Sequence, residues 1–183
     1  RRKKAGERFD GEDTILQMTI PNAEIRYVYR TAIREWFDRR IKETDNTSLF
    51  QAMLEGDART MAQEISQRLF ESISYYDYTE AYYHGILVGI LQNIKGYRVR
   101  PNREAGNGRP DILIQSPSIW GKAVILEIKV AQKPRELREK ATEAAEQIKE
   151  KSYIEGVQEE GYDDILAYGV AFYKKDCLIE RVR

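Results

Sequence analysis

The chain has 183 residues, and its 30 lysine and arginine residues balance its 30 aspartate and glutamate residues, so the formal net charge is zero. A single histidine and a single cysteine exclude a disulfide framework, a cysteine-rich zinc site and any site that needs two imidazoles. No apolar run approaches the roughly 18 residues that cross a membrane, so we expect a cytoplasmic protein without membrane contact. Neutrality excludes a polycation that coats nucleic acid, but it leaves room for a local basic cleft.

The first 74 residues are predicted to form a helical region without evident chemistry. In chain order, the pattern predicts a charged tail over residues 1–12, a short strand over 15–20, helices over 25–41 and 48–54, and a third helix that carries Met61, Ile65, Leu69, Phe70 and Ile73. Gly56 is the expected stop of the second helix, because glycine is common just after a helix end.

Residues 75–183 are predicted to form a mixed α/β domain. A helix over residues 75–94 begins it, with Asp77 as N-cap, Glu80 as the third helical residue and Gly96 as the stop. The later predicted elements are strands over 97–100, 111–115, 123–130, 165–173 and 178–182, with a helix over 135–158 between the third strand and the fourth. This order indicates a mixed sheet that starts as an antiparallel meander.

The strand AVILEIKV, residues 123–130, carries two charged side chains in an otherwise apolar run. Side chains alternate along a strand, so Glu127 and Lys129 project from the same face. Burying two charges costs several kcal/mol per ion unless other groups compensate. Two explanations therefore stay open, namely a buried structural ion pair and a functional site.

Asp111 joins this patch if the two strands form a hairpin that folds symmetrically about Ile119. In that register Asp111 lies opposite Glu127, with Cβ atoms about 5 Å apart. Two carboxylates this close repel each other unless a cation or a proton lies between them. Oxygen ligands without His or Cys suit Mg²⁺ or Mn²⁺, and a neighbouring Lys129 can orient the ion's water or stabilise charge on a phosphate. These parts predict phosphodiester hydrolysis.

The pair Pro110-Asp111 followed by Glu127-Ile128-Lys129 resembles the PD-(D/E)xK motif of the restriction-endonuclease-like nuclease superfamily. The predicted order α-β-β-β-α-β matches the core of that superfamily. The chain is also similar to the nuclease-like domain at the C-terminus of a family of bacterial AAA-ATPase-like proteins. The stretches that carry this similarity are IPNAEIR (20–26), YYHGILVGIL (82–91), NREAGNGRPDILI (102–114), VILEIKVA (124–131), EQIKEKSY (146–153) and YGVAFYKKDC (168–177).

The resemblance implies a role for each matching residue. Asp111 and Glu127 would hold the metal, Lys129 would assist the attacking water, and Gln147 would correspond to the glutamine of the RecB-like branch. That branch has Gln-x-x-x-Tyr, whereas here the tyrosine is Tyr153, two positions later. A structural alternative for Gln147 stays open, because a buried amide can simply satisfy backbone groups.

Glu80 and His84 would match the acidic or histidine position on the helix before the sheet, as additional metal ligands. They are four residues apart and therefore share one helical face. Each also has a structural alternative. Glu80 fits a capping box, and a lone His84 is often a hydrogen-bonded structural residue.

The expected function is hydrolysis of DNA, in preference to RNA, by a Mg²⁺-activated water. The alternative is a catalytically inactive nuclease-fold module that serves DNA binding or oligomerisation for an associated ATPase. The resemblance implies that the chain is the C-terminal part of a longer protein, with residues 1–74 following the ATPase domain and residues 75–183 forming the nuclease-like domain. Whether the protein forms a homodimer is left open.

The charges are unevenly distributed along the sequence. Residues 95–109 contain five basic residues against one acidic residue, whereas residues 155–164 contain five acidic residues and no basic one. The basic stretch leads directly into Asp111. We therefore expect phosphate contacts from the arginines of this stretch, which are Arg98, Arg100, Arg103 and Arg109.

Overall fold

The computed structural model describes residues 7–10, 13–16, 45–72, 79–101 and 108–182. The chain divides into two compact units, Arg1–Arg40 and Ile41–Arg183. In the first unit, strand β1 (Glu7–Asp10) pairs antiparallel with strand β2 (Asp13–Leu16).

This hairpin corrects part of the prediction for the N-terminal region. Residues 7–10 were expected in a charged tail but form a strand, because backbone pairing with β2 does not require apolar side chains. The strand predicted over 15–20 overlaps β2 at residues 15 and 16. Its remainder and the helix predicted over 25–41 lie outside the described residues.

The second unit contains a five-stranded sheet flanked by helices. Its elements are α1 (Thr47–Glu55), α2 (Ala58–Ser72), α3 (Glu80–Leu91), β3 (Arg98–Pro101), β4 (Ile112–Gln115), β5 (Ala123–Val130), α4 (Leu137–Glu150), α5 (Tyr153–Glu159), β6 (Ile165–Tyr173) and β7 (Asp176–Arg181). The strand order is β3-β4-β5-β6-β7, in which only β5 and β6 are parallel. The predicted mixed sheet with an antiparallel meander at its start is confirmed.

The helix before the sheet begins later than predicted. Thr79 is its N-cap, in an extended conformation, and the Thr79 hydroxyl accepts a hydrogen bond from the backbone N–H of Tyr82. Glu80 is therefore the first helical residue rather than the third, and the capping box with Asp77 was wrong; Asp77 itself lies outside the described residues. Since Thr and Asp are both good N-caps, composition alone did not distinguish the two starts.

The helix predicted over 135–158 is in fact two helices. Ser152 has a φ of 53°, in the left-handed region, and it separates α4 from α5. The break turns Tyr153 into the core, where it is 2% exposed. Its hydroxyl donates a 3.0 Å hydrogen bond to the backbone carbonyl of Arg109.

Helices cover both faces of the sheet. On one face, the Tyr168 hydroxyl donates to the Met53 carbonyl of α1 at 2.6 Å, and the ring of Tyr83 in α3 stacks on Phe172 of β6. On the other face, α4 crosses β6 so closely at Gly169 that an added Cβ would lie 2.4 Å from the backbone oxygen of Ala141. Glycine is required there because any side chain would push the helix off the sheet.

The domain boundary predicted between residues 74 and 75 stays a prediction, although α1 and α2 belong to the same compact unit as the sheet. Within the described ranges, no helix is long and apolar enough to span a membrane.

Candidate active site

The pairing of β4 with β5 brings the two predicted acidic residues together. Ile112 pairs with Leu126 and Leu113 with Ile125, so the next position along the hairpin sets Asp111 opposite Glu127. This is the register predicted from symmetry about Ile119. Paired residues of antiparallel strands share a face, so both carboxylates belong to one patch.

Backbone hydrogen bonds fix both carboxylates. The N–H of Ile128 donates to Asp111 Oδ2 at 2.8 Å, and the N–H of Asp111 donates to Glu127 Oε2 at 3.4 Å. Asp111 Oδ1 accepts no hydrogen bond from the described residues. The Glu127 side chain is nearly buried, while Asp111 is half-buried. One oxygen of Asp111 thus remains available to a ligand.

Lys129 and Gln147 approach the second oxygen of Glu127. Lys129 Nζ lies 3.6 Å from Glu127 Oε1, and the same oxygen accepts a hydrogen bond from Gln147 Nε2 of helix α4. The Gln147 contact depends on the close approach of α4 at Gly169, which pairs directly with Glu127 in the sheet. The structure therefore brings Asp111, Glu127, Lys129 and Gln147 into one patch.

The environment of Glu127 favours its protonated form. Burial, and after it the charge of Asp111, raises the pKa of Glu127 to about 7, against the opposing effect of Lys129. The structural ion-pair explanation predicts that Glu127 bonds directly to Lys129 or Arg109 and that Asp111 is turned away. In the structure Lys129 does pair with Glu127, but Asp111 also faces Glu127. Two carboxylates in one patch repel each other, which favours a positive charge between them.

Within the described residues, neither Glu80 nor His84 forms a hydrogen bond with these carboxylate groups. His84 Nε2 lies 3.0 Å from the backbone carbonyl oxygen of Asp111, and Glu80 is exposed in the first turn of α3. Across the described ranges, no group of three or more His, Cys, Asp and Glu side chains lies close enough to hold a metal ion. The hydrogen bond of His84 to main chain agrees with its structural interpretation.

The donor chemistry of the remaining pair fits a hard divalent cation. Asp111 and Glu127 offer carboxylate oxygens, and Mg²⁺ often takes only one or two protein carboxylates and completes its shell with water and substrate phosphate oxygens. Burial, and after it the charge of Asp111, raises the pKa of Glu127, and a bound cation would offset both effects on the charged carboxylate.

Tyr153, which lies two positions beyond the tyrosine of the Gln-x-x-x-Tyr pattern, is also a member of the patch. Besides its bond to the Arg109 carbonyl, its hydroxyl hydrogen-bonds with Gln147, and burial raises the pKa of this tyrosine. A connected path thus runs from Glu127 through Gln147 and Tyr153 to the segment just before Asp111. The similarity over residues 146–153 was the available sequence signal for Tyr153. In one continuous helix, however, residues six positions apart do not share a face, so the predicted helix over 135–158 would keep Gln147 and Tyr153 apart.

Two of the predicted phosphate-binding arginines lie on the same face of the sheet as the patch. Arg98 pairs with Gln115 and Arg100 with Leu113, so both lie on the face of the sheet that carries Asp111. Arg98 is exposed and Arg100 half-buried. Arg109 is exposed two residues before Asp111, and Arg103 lies outside the described residues.

Comparison with known proteins identifies the family. The profile of the PD-(D/E)XK nuclease superfamily matches residues 78–182, more than half of the chain. The chain belongs to the PD-(D/E)XK nuclease superfamily. The mixed sheet and its flanking helices agree with the restriction-endonuclease-like fold of this superfamily, so the predicted fold class is confirmed.

Other comparisons add little to this assignment to the PD-(D/E)XK superfamily. A search of curated proteins finds no match. Among solved structures, the chain is similar to SfsA of Pyrococcus furiosus, determined in complex with Ca²⁺, with 14% identity and a TM-score of 0.23. The match covers 56% of this chain and 64% of SfsA, which is less than two thirds of that protein. A similarity this distant supports no functional argument.

Proposed function

We propose that the protein is a metal-dependent nuclease that hydrolyses phosphodiester bonds in DNA. The observation that supports this best is the meeting of Asp111, Glu127 and Lys129 on one face of the β4–β5 pair in a PD-(D/E)XK chain. A bound Mg²⁺ or Mn²⁺ ion would supply Lewis acidity and would lower the pKa of its coordinated water. Asp111 and Glu127 are the residues that would hold it.

Each residue of the patch has a separate role in this proposal. Asp111 presents one carboxylate oxygen while the other is fixed by the Ile128 N–H. Gln147 holds the Glu127 carboxylate from above the sheet, which orients it for a ligand. Lys129 places a positive charge 3.6 Å from Glu127, where it can stabilise negative charge developing on a phosphate.

The basic residues of β3 and its following loop provide the approach for the substrate. Arg98 and Arg100 share the face of Asp111, and Arg109 is exposed beside it. Contacts from guanidinium groups to phosphates position a nucleic acid without reading its sequence. We expect Arg103 to act with them, and DNA to be preferred to RNA.

The second candidate is an inactive nuclease-fold module that binds DNA or oligomerises for an ATPase domain of a longer chain. It is favoured by the engagement of Glu127 with both Lys129 and Gln147 and by the lack of a third acidic or histidine ligand in the described residues. In this proposal residues 75–183 are the nuclease-like domain, and residues 1–74 join it to the ATPase.

Plasmid cleavage with Mg²⁺ and Mn²⁺, together with calorimetric binding of each ion, tests the proposal. Asp111→Asn, Glu127→Gln and Lys129→Ala should each lower the cleavage rate by about 100-fold or more. Asp163→Asn, a change at an exposed acidic residue outside the patch, is the matched control and should cleave like the wild type.

Two results decide between the candidates. Cleavage that depends on a divalent ion and on Asp111 supports the nuclease. If the wild type binds no divalent ion and cuts neither DNA nor RNA, the enzymatic proposal fails, and DNA binding that persists without cleavage then supports the inactive module.

A further inference from the structure

The strand at one edge of the sheet has main-chain groups without a partner among the described residues. Strand β7 is last in the strand order and pairs only with β6. The N–H of Val182 donates to Ala167 of β6, and the alternation of antiparallel pairing then turns the main-chain groups of Cys177, Ile179 and Arg181 away from β6.

Within the part of the chain that the structure describes, only the first of these three residues has a partner for its outward N–H. The Cys177 N–H donates to Ser66 Oγ of helix α2 at 2.9 Å. For Ile179 and Arg181, no hydrogen-bond partner of the outward N–H and C=O groups occurs among the described residues. These four groups have the two-residue spacing at which another extended chain pairs.

The edge lies at the bottom of a groove between the two helical layers. Two adjoining clefts, of about 840 Å³ and 830 Å³, both include Thr142, Ile179 and Glu180. The first runs between α4 and Gly56 at the end of α1, and the second between α2 and the start of α4. The helices that wall these clefts are α1 and α2 on one face of the sheet and α4 on the other. Strand β7 lies between them and forms the floor of the groove along most of the strand's length.

The charges in this groove favour an acidic occupant. Its walls and floor carry four basic residues against two acidic ones, and these six are Arg59, Arg138, Lys149, Arg181, Glu146 and Glu180. The carboxylate of Glu180 already accepts a hydrogen bond from the Thr142 hydroxyl at 2.6 Å.

We propose that this groove binds an extended, acidic segment of a partner protein, which adds to β7 as a sixth strand. A polypeptide matches the outward N–H and C=O groups of Ile179 and Arg181, whereas a nucleic-acid backbone offers phosphate acceptors and no such alternation. The inference rests on the sheet edge and its charges, and it is independent of cleavage by the Asp111 patch.

Fluorescence anisotropy with labelled probes tests the proposal on the full 183-residue chain. The first probe is a short peptide in which valine and glutamate alternate, the second has lysine in place of glutamate, and the third is a single-stranded oligonucleotide. We expect the glutamate peptide to bind about tenfold more tightly than the lysine peptide, because of the charge of the groove.

Two substitutions at one position separate main-chain pairing from charge. Arg181→Pro removes the outward N–H at a site where an edge strand accommodates proline, and Arg181→Ala removes the charge but keeps the N–H. Since one hydrogen bond is lost, Arg181→Pro should bind the glutamate peptide up to about tenfold more weakly than Arg181→Ala. Equal binding by the two variants would overturn strand addition.

Hydrogen exchange in the wild type answers the same question without any variant. The amides of Ile179 and Arg181 should exchange faster than that of Glu180 in the free protein, and the glutamate peptide should slow them at least about tenfold. The proposal fails if these amides are already protected in the free chain, or if the oligonucleotide protects them and the peptide does not.

Discussion

Asp111 and Glu127 each accept a hydrogen bond from the backbone of the opposite strand, Asp111 Oδ2 from the Ile128 N–H at 2.8 Å and Glu127 Oε2 from the Asp111 N–H at 3.4 Å. This exchange holds two carboxylates in one patch through the backbone itself. Their repulsion is thus built into the pairing of β4 with β5, and side-chain rotation alone does not relieve it.

The pKa of Glu127 predicts how stability depends on pH when divalent ions are removed by EDTA. The group has an ordinary pKa of 4.5 and a folded-state pKa of about 7, so the folded chain holds this proton more tightly than the unfolded chain does. The stabilisation of the folded chain that comes from this bound proton is therefore complete below pH 4.5 and is lost as the pH rises through 7. In urea unfolding across this range, the free energy of unfolding of the wild type, measured relative to that of Glu127→Gln, should therefore fall as the pH rises.

Glu127→Gln provides the comparison because its amide does not titrate, and groups that do not interact with Glu127 contribute equally to both proteins. Adding Mg²⁺ should reduce the decline in the wild type, since a cation stabilises the charged carboxylate. A difference between the two proteins that does not change with pH would contradict the raised pKa.

Gly169→Ala should destabilise the fold and disturb the patch together. The new Cβ would lie 2.4 Å from both Ala141 O and Ala145 N, so α4 must move away from β6. Overpacking of this kind costs about 1–3 kcal/mol, and the movement also withdraws Gln147 from Glu127. Thermal unfolding and cleavage assays measure the two effects.

The matched control for Gly169→Ala is Gly85→Ala, at an exposed position of helix α3. A Cβ at Gly85 meets nothing within 4 Å, and alanine favours a helix by about 1 kcal/mol over glycine. Gly85→Ala should therefore be neutral or stabilising, and a similar loss of stability in both variants would argue against the close approach of α4.

Tyr153→Phe should reduce cleavage more than its effect on stability explains. The change removes the hydroxyl that links Gln147 to the Arg109 carbonyl. Loss of such an outer partner typically lowers activity by about 10-fold or more, while the missing hydrogen bond costs about 1 kcal/mol. Cleavage rates and urea unfolding should be measured on the same preparations.

Tyr162→Phe is the control for this prediction, because it removes a buried hydroxyl that donates to the Ser116 carbonyl at 2.6 Å, away from the carboxylates. It should lose a comparable free energy of unfolding and keep full activity. If both variants lose the same activity, Tyr153 contributes only to stability.

Removal of Arg98 and Arg100 should weaken the salt dependence of DNA binding. Each phosphate contact contributes about 0.9 to the slope of log affinity against log salt, so Arg98→Ala with Arg100→Ala should lower the slope by about 2. The control pair is Lys122→Ala with Lys140→Ala, because these lysines are already paired with Asp164 and Glu143. Equal slopes for both double variants would exclude β3 as a phosphate contact surface.

The patch was predictable because its geometry follows from two local rules. Alternation along β5 put Glu127 and Lys129 on one face, and a symmetric hairpin set Asp111 opposite Glu127. The strands Ala123–Val130 and Ile165–Tyr173 also have the predicted bounds, since apolar runs of β-branched and aromatic residues mark buried strands well.

The break at Ser152 has no comparable signal in the sequence. The apolar stripe ends at Ile148 and apolar residues resume at Tyr153, but no glycine or proline marks the left-handed Ser152 between them. The cap at Thr79 was missed for a different reason, since Asp77 and Thr79 can both accept from a helix N-terminus. Tertiary packing, which periodicity does not report, decided both positions.

Helix α4 is a common wall of two separate regions. One side of it presents Gln147 to Glu127, while Thr142 and Lys149 line the groove at β7, and Gly169 fixes the helix between them. A rigid helix transmits displacement along its length, so a shift of α4 at the sheet edge changes the position of Gln147 as well. The sheet edge and the carboxylate patch therefore share helix α4 as a structural element.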